Sequence, residues 1–72
     1  AITTVLVEEE EIAAAMRWLY ERAKLACEPA GAAAVAALMN GKAASEEDET
    51  VVCVVTGGNV ATHTAAAILA QP

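Results

Sequence analysis

Two short stretches hold the residues whose types and spacing suit chemistry. In Thr56-Gly57-Gly58-Asn59 a hydroxyl stands directly before two glycines, and in Cys27-Glu28-Pro29-Ala30-Gly31-Ala32 a carboxylate stands directly before a proline. Paired glycines let a backbone turn sharply and come close to a ligand, although many such turns hold none. Pro29 suits the first turn of a helix, which puts Glu28 at the cap position beside the positive end of the helix dipole. Ser, Thr or Asp would be the usual cap. Glu28 therefore reads either as a poor cap facing water or as a carboxylate aimed into a site walled by alanines. The other reactive side chains offer less. His63 has no Cys, Ser or carboxylate at a spacing that makes it a base or a ligand. Cys27 and Cys53 lack metal-ligand spacing, and Cys53 reads as an inert buried thiol. A disulfide between them is not expected in a cytosolic chain. A phosphate site at the Gly57-Gly58 turn would want the Gly-Lys-Ser/Thr ending that is missing here.

These groups need elements to position them. Thr50 to Thr56 is apolar or β-branched apart from Cys53, without alternation. That pattern predicts a strand covered on both faces. The glycine turn follows, then a helix around Ala65 to Ala70 with Asn59 or Thr62 as its cap. A strand, a glycine turn and a helix start together form the geometry that holds ligands at the carboxyl edge of a sheet. Upstream, Ile2 to Val7 predicts a first strand. Glu8 to Glu11 opens a helix, since acids in the first turn complement its dipole. That helix runs to about Ala26, with Ile12, Met16, Leu19, Tyr20 and Ala23 on one apolar face. A second helix is predicted over Pro29 to Met39, closed by Asn40-Gly41, and Lys42 to Glu49 reads as a polar linker. The order is strand, helix, helix, strand, helix: one α/β unit over residues 1–72, part of a larger sheet domain.

The chain has 72 residues and a formal net charge of −6, with only four lysines and arginines. That balance excludes a nucleic-acid footprint and an anionic membrane surface as partners. No apolar span of membrane length and no signal-peptide pattern occur, which predicts a cytoplasmic chain. Alanine-rich cores bury little area per residue, and in a chain this short burial barely offsets the ordering cost. The sequence therefore predicts a partner, either the rest of a larger protein or a second copy in a homo-oligomer.

Three segments, in order, resemble one family. Glu8-Glu9-Glu10-Glu11-Ile12-Ala13-Ala14-Ala15-Met16 is similar to a helix opening near the end of threonine dehydratases. Cys27-Glu28-Pro29-Ala30-Gly31-Ala32-Ala33-Ala34 resembles their Glu-Pro-Ala-Gly-Ala segment, and Val54-Val55-Thr56-Gly57-Gly58-Asn59-Val60 their Ser-Gly-Gly-Asn-Val segment. The resemblance covers nearly the whole chain. It points to the C-terminal part of the catalytic domain of fold-type II pyridoxal phosphate enzymes of the threonine dehydratase and serine racemase kind, whose domain is a three-layer sheet structure. Threonine synthase shares parts of the pattern, so the exact substrate does not follow. The resemblance implies that the Thr56 hydroxyl, in place of the usual Ser, bonds the pyridine nitrogen of the cofactor. It places Glu28 beside the ring and makes Gly57, Gly58 and Asn59 the wall near it. The family's Schiff-base lysine and phosphate loop lie upstream of these segments. Lys24 and Lys42 lack that lysine's context, so the chain is expected to be inactive alone as an ammonia-lyase.

Overall fold

The computed structural model describes residues 4–43, 47–58 and 60–71. Its first helix, α1, spans Glu9–Trp18. Three consecutive glutamates fill its first turn, where carboxylates offset the helix dipole. The Glu11 side chain reaches back to accept the Glu8 N–H at 2.8 Å, which satisfies one of the donors a helix start leaves open. The helix widens into a π turn over Leu19–Ala23 and stops at Lys24, which is left-handed at φ 59°. Leu25 N–H then donates to Leu19 C=O at 2.9 Å, a bond one residue wider than that of a Schellman cap, as follows a π turn. The apolar face expected to run to Ala26 thus ends early. Lys24 is the terminating residue.

Pro29–Ala32 forms a 3₁₀ turn, with Glu28 extended before it and Pro29 at the start. The chain continues into α2, Ala33–Met39. Asn40 Nδ2 caps the Ala36 carbonyl at 2.8 Å, and Gly41 follows at φ 68°, a conformation that suits glycine. The last helix, α3, covers Thr62–Leu69. Ala61 precedes it without a side-chain cap, and Thr62 lies inside the helix, so the expected Thr62 cap is not formed. The alternative cap, Asn59, lies outside the described residues.

α1 packs against α2, the 3₁₀ turn and α3. Met16 and Cys27 are the largest fully enclosed side chains, and Ala15, Ala32 and Ala36 are equally inaccessible. Alanines at these contacts let helix backbones approach closely, so a small core closes with few large side chains, Tyr20 packing against it from the edge. Arg17 Nη1 ties α1 to the end of α3 through Gln71 Oε1 at 2.9 Å and the Ile68 carbonyl at 3.4 Å.

The α/β layout is where structure and sequence part. Among the described residues there is no strand; residues 4–8 and 49–58 lack regular structure. Ile2 and Thr3 of the expected first strand lie outside the described residues. Thr50 to Thr56 was expected to be covered on both faces, yet Val52 is 83% and Val54 71% exposed, while Cys53 and Val55 pack against the core. The physical reason is pairing. A strand exists only when a neighbour takes up its N–H and C=O groups, and an apolar run cannot supply that neighbour from within itself. Cys53, expected to be buried, is accordingly only half-buried.

Candidate functional site

The two motifs adjoin. The Glu28 N–H donates to the Gly57 carbonyl at 2.5 Å, bringing residues 29 positions apart in sequence into direct contact. Two glycines make that approach possible. A Cβ on Gly31 would overlap the Thr56 carbonyl oxygen and sit 2.7 Å from its carbon, so only a bare Cα fits there. A Cβ on Gly57, whose φ is +72°, would run into the carboxyl end of the Glu28 side chain. Gly58 lies beside the chain just upstream, its own Cβ position 3.7 Å from the Ala26 carbonyl oxygen. The turn over residues 56–58 therefore runs along residues 26–31. Of the residues singled out by sequence, the structure brings Glu28, Thr56, Gly57 and Gly58 together, and both Glu28 and Thr56 are exposed. Asn59 lies outside the described residues.

The neighbourhood has one buried thiol. Burial pushes Cys27 above the ordinary thiol range, and the charge of adjacent Glu28 adds to this, so Cys27 is held as a neutral thiol. Cys27 and Cys53 are both free, without a disulfide between them. Among the described residues no cluster of His, Cys, Asp and Glu is placed to hold a metal ion. His63 is exposed in the first turn of α3.

Sequence reasoning missed several partners. Lys42, read as a linker residue, pairs with Glu11 at 2.7 Å across the chain. That bond first, and the Glu8 amide second, hold the Glu11 carboxyl below its ordinary 4.5. Gly31 was legible as a small residue after a proline, but nothing in its type announced Thr56 as the neighbour. A concavity of about 560 Å³ opens elsewhere, between the start of α1, Pro29 and Ala30, and the end of α3 at Ile68 and Gln71. It includes neither Glu28 nor Thr56.

Comparison with known proteins shows the family. The family described as pyridoxal-phosphate dependent enzyme matches residues 1–57. The chain belongs to that family. It is 48% identical over 65 residues to an L-threonine ammonia-lyase of Geobacter sulfurreducens, covering 90% of this chain and 16% of that protein. It is 50% identical over 58 residues to the catabolic L-threonine dehydratase TdcB of Staphylococcus aureus, covering 78% of this chain and 17% of the relative. The chain thus spans about one sixth of the length of the curated relatives it matches. No solved structure matches it. The family is one of pyridoxal-phosphate dependent enzymes, and the two relatives named are a threonine ammonia-lyase and a threonine dehydratase. No described helix is long and apolar enough to cross a membrane.

Proposed function

We propose that this chain forms one wall of the cofactor pocket of a pyridoxal phosphate-dependent threonine or serine ammonia-lyase, holding the pyridine end of the cofactor, and that it is not catalytic alone. The observation that carries the reading is the bond from Glu28 N–H to the Gly57 carbonyl, because it sets a carboxylate and a hydroxyl on neighbouring turns. The donor set fits the ring end of the group. Thr56 offers a neutral hydroxyl, Gly57 a bare backbone surface, and the Glu28 carboxyl fills the space that a Cβ on Gly57 would take.

When bound, the cofactor supplies the electron sink for eliminating water from a hydroxy-amino acid. In this reading the Thr56 hydroxyl makes a hydrogen bond at the ring nitrogen without delivering a full proton there, as an aspartic acid would. Glu28 lies beside the ring, and Gly57, Gly58 and Asn59 shape the wall. Neither lysine is suited to anchor the cofactor covalently. Lys24 is exposed at the helix end, and Lys42 is engaged by Glu11. The remaining walls come from the rest of such an enzyme. Thr50 to Thr56 would become a strand of its α/β sheet once a neighbouring strand pairs with it.

The test is complementation. The purified chain should release no 2-oxobutyrate from threonine, and a complementary segment carrying a Schiff-base lysine and phosphate loop should restore it. Thr56→Ala should then lower the restored activity. Product from the chain alone, or indifference to Thr56→Ala, overturns the proposal. A second reading, self-association into a homo-oligomer, draws on one observation: Leu6 at 85%, Val52 at 83% and Val54 at 71% are exposed. Apolar surface of this kind favours a partner. A monomer by sedimentation velocity across micromolar concentrations would remove that reading.

A further inference from the structure

We propose that Gly31 is a positioning residue for the ring-end site: its bare Cα lets the Thr56 carbonyl seat on the 3₁₀ turn, which fixes the Thr56 hydroxyl relative to the Glu28 carboxylate. This rests on the cofactor reading above, but its geometry stands without it. Three contacts define a clamp. Gly31 lies against the Thr56 backbone, Glu28 N–H donates to the Gly57 carbonyl, and the Glu28 side chain lies over the Gly57 Cα. The first differs in kind from the third. At Gly57 the obstacle to a Cβ is a side chain that can swing aside, whereas at Gly31 it is the backbone of the neighbouring segment. A methyl at Gly31 must therefore push the whole turn at residues 56–57 away. Real Cβ atoms essentially never approach another heavy atom within 3.0 Å, and a Cβ here would lie 1.8 Å from the Thr56 oxygen, so the displacement is on the order of an ångström or more. Such a shift moves a hydroxyl off its partner atom even when the residue carrying it is unchanged. Gly31 belongs to the proline turn and never needs to touch the cofactor, so it acts through Thr56.

Gly41 is the control. Unlike Gly31 it has a positive φ, +68°, and a Cβ there meets nothing within 4 Å. Gly41→Ala strains the fold without touching the clamp. The probe is pyridoxamine phosphate labelled with ¹⁵N in the ring, which needs no lysine to bind. Binding to the 72-residue chain and the ring nitrogen's chemical shift are read together, alongside exchange of the Glu28 amide and nuclear Overhauser contacts from the Gly31 α-protons. The expected result has four parts. In the unsubstituted chain, Gly31 α-protons show contacts to residues 56–57 and the Glu28 amide is protected. Gly31→Ala weakens binding about tenfold or more. It also returns the ring nitrogen toward its free-ligand shift and exposes the Glu28 amide. Gly41→Ala changes none of these, whatever it does to melting.

The proposal is overturned if Gly31→Ala binds and shifts the ring nitrogen like Gly41→Ala. It is also overturned if the Glu28 amide exchanges alike in Gly31→Ala and the unsubstituted chain. If the unsubstituted chain binds no probe without the remaining walls of the pocket, complementation still decides the cofactor reading and the amide-exchange comparison decides the clamp. If Gly31→Ala does not fold, the contacts in the unsubstituted chain decide it, and their absence overturns it.

Discussion

Gly57→Ala separates two costs that the structure places on one residue. Alanine at φ +72° must adopt the left-handed region, at a cost of about 1–2 kcal/mol. Its methyl also runs into the Glu28 carboxyl, and moving that side chain off its preferred rotamer adds about 0.5–1.5 kcal/mol. Gly41→Ala carries the first cost and not the second, because its Cβ position is open at φ +68°. Both substitutions also gain the same stabilisation from a stiffer unfolded chain, which cancels in the comparison. Gly57→Ala should therefore be less stable than Gly41→Ala by about 1 kcal/mol in urea unfolding followed by circular dichroism. A double-mutant cycle identifies the source. In a Glu28→Ala background the excess should vanish, because no carboxyl remains to be displaced. Equal losses at the two glycines, or an excess that survives Glu28→Ala, refutes the placement of Glu28 over Gly57.

Three further outcomes are expected. Met16→Ala empties the largest enclosed apolar site together with Cys27, and should cost about 2–5 kcal/mol, a large share of what a chain this size holds; a midpoint unchanged in urea would mean that the core is elsewhere. Glu11 has a folded pKa below its ordinary 4.5, so its contribution is complete above that pH and is lost as pH falls through the lower folded value. Lys42→Ala removes the larger cause, and should flatten this acid limb of a stability–pH curve; an unaltered limb would show that Glu11 is held some other way. Cys27 is buried with its pKa raised, while Cys53 is half-buried. Under native conditions at mild alkaline pH an aromatic disulfide reagent should label Cys53 well before Cys27, and equal rates would contradict the burial.

Much of the helical frame was legible. The glutamate run before Ile12, the proline at position 29 and the glycine at position 41 are local signals, and α1, the 3₁₀ turn with α2, and the end of α2 stand where those signals put them. Local backbone preference decides such features, so neighbouring residues carry the information. The end of α1 was less legible, because a left-handed Lys24 has no propensity to announce it. The strands failed for a different reason. Thr50 to Thr56 has the composition of a buried strand, but composition cannot provide the second strand that its backbone groups need.

By itself, the sequence determined which residue types stand next to which: a carboxylate before a proline, and a hydroxyl before two glycines. It also fixed the family through those motifs and their order. Only the tertiary structure decided that the two motifs touch, and which atoms make the contact. Glu28 N–H meets the Gly57 carbonyl, and Gly31 lies against Thr56. The reason is that such contacts depend on how α1, the 3₁₀ turn and the loop before α3 pack. Packing is a property of distances between segments, and no single segment encodes it.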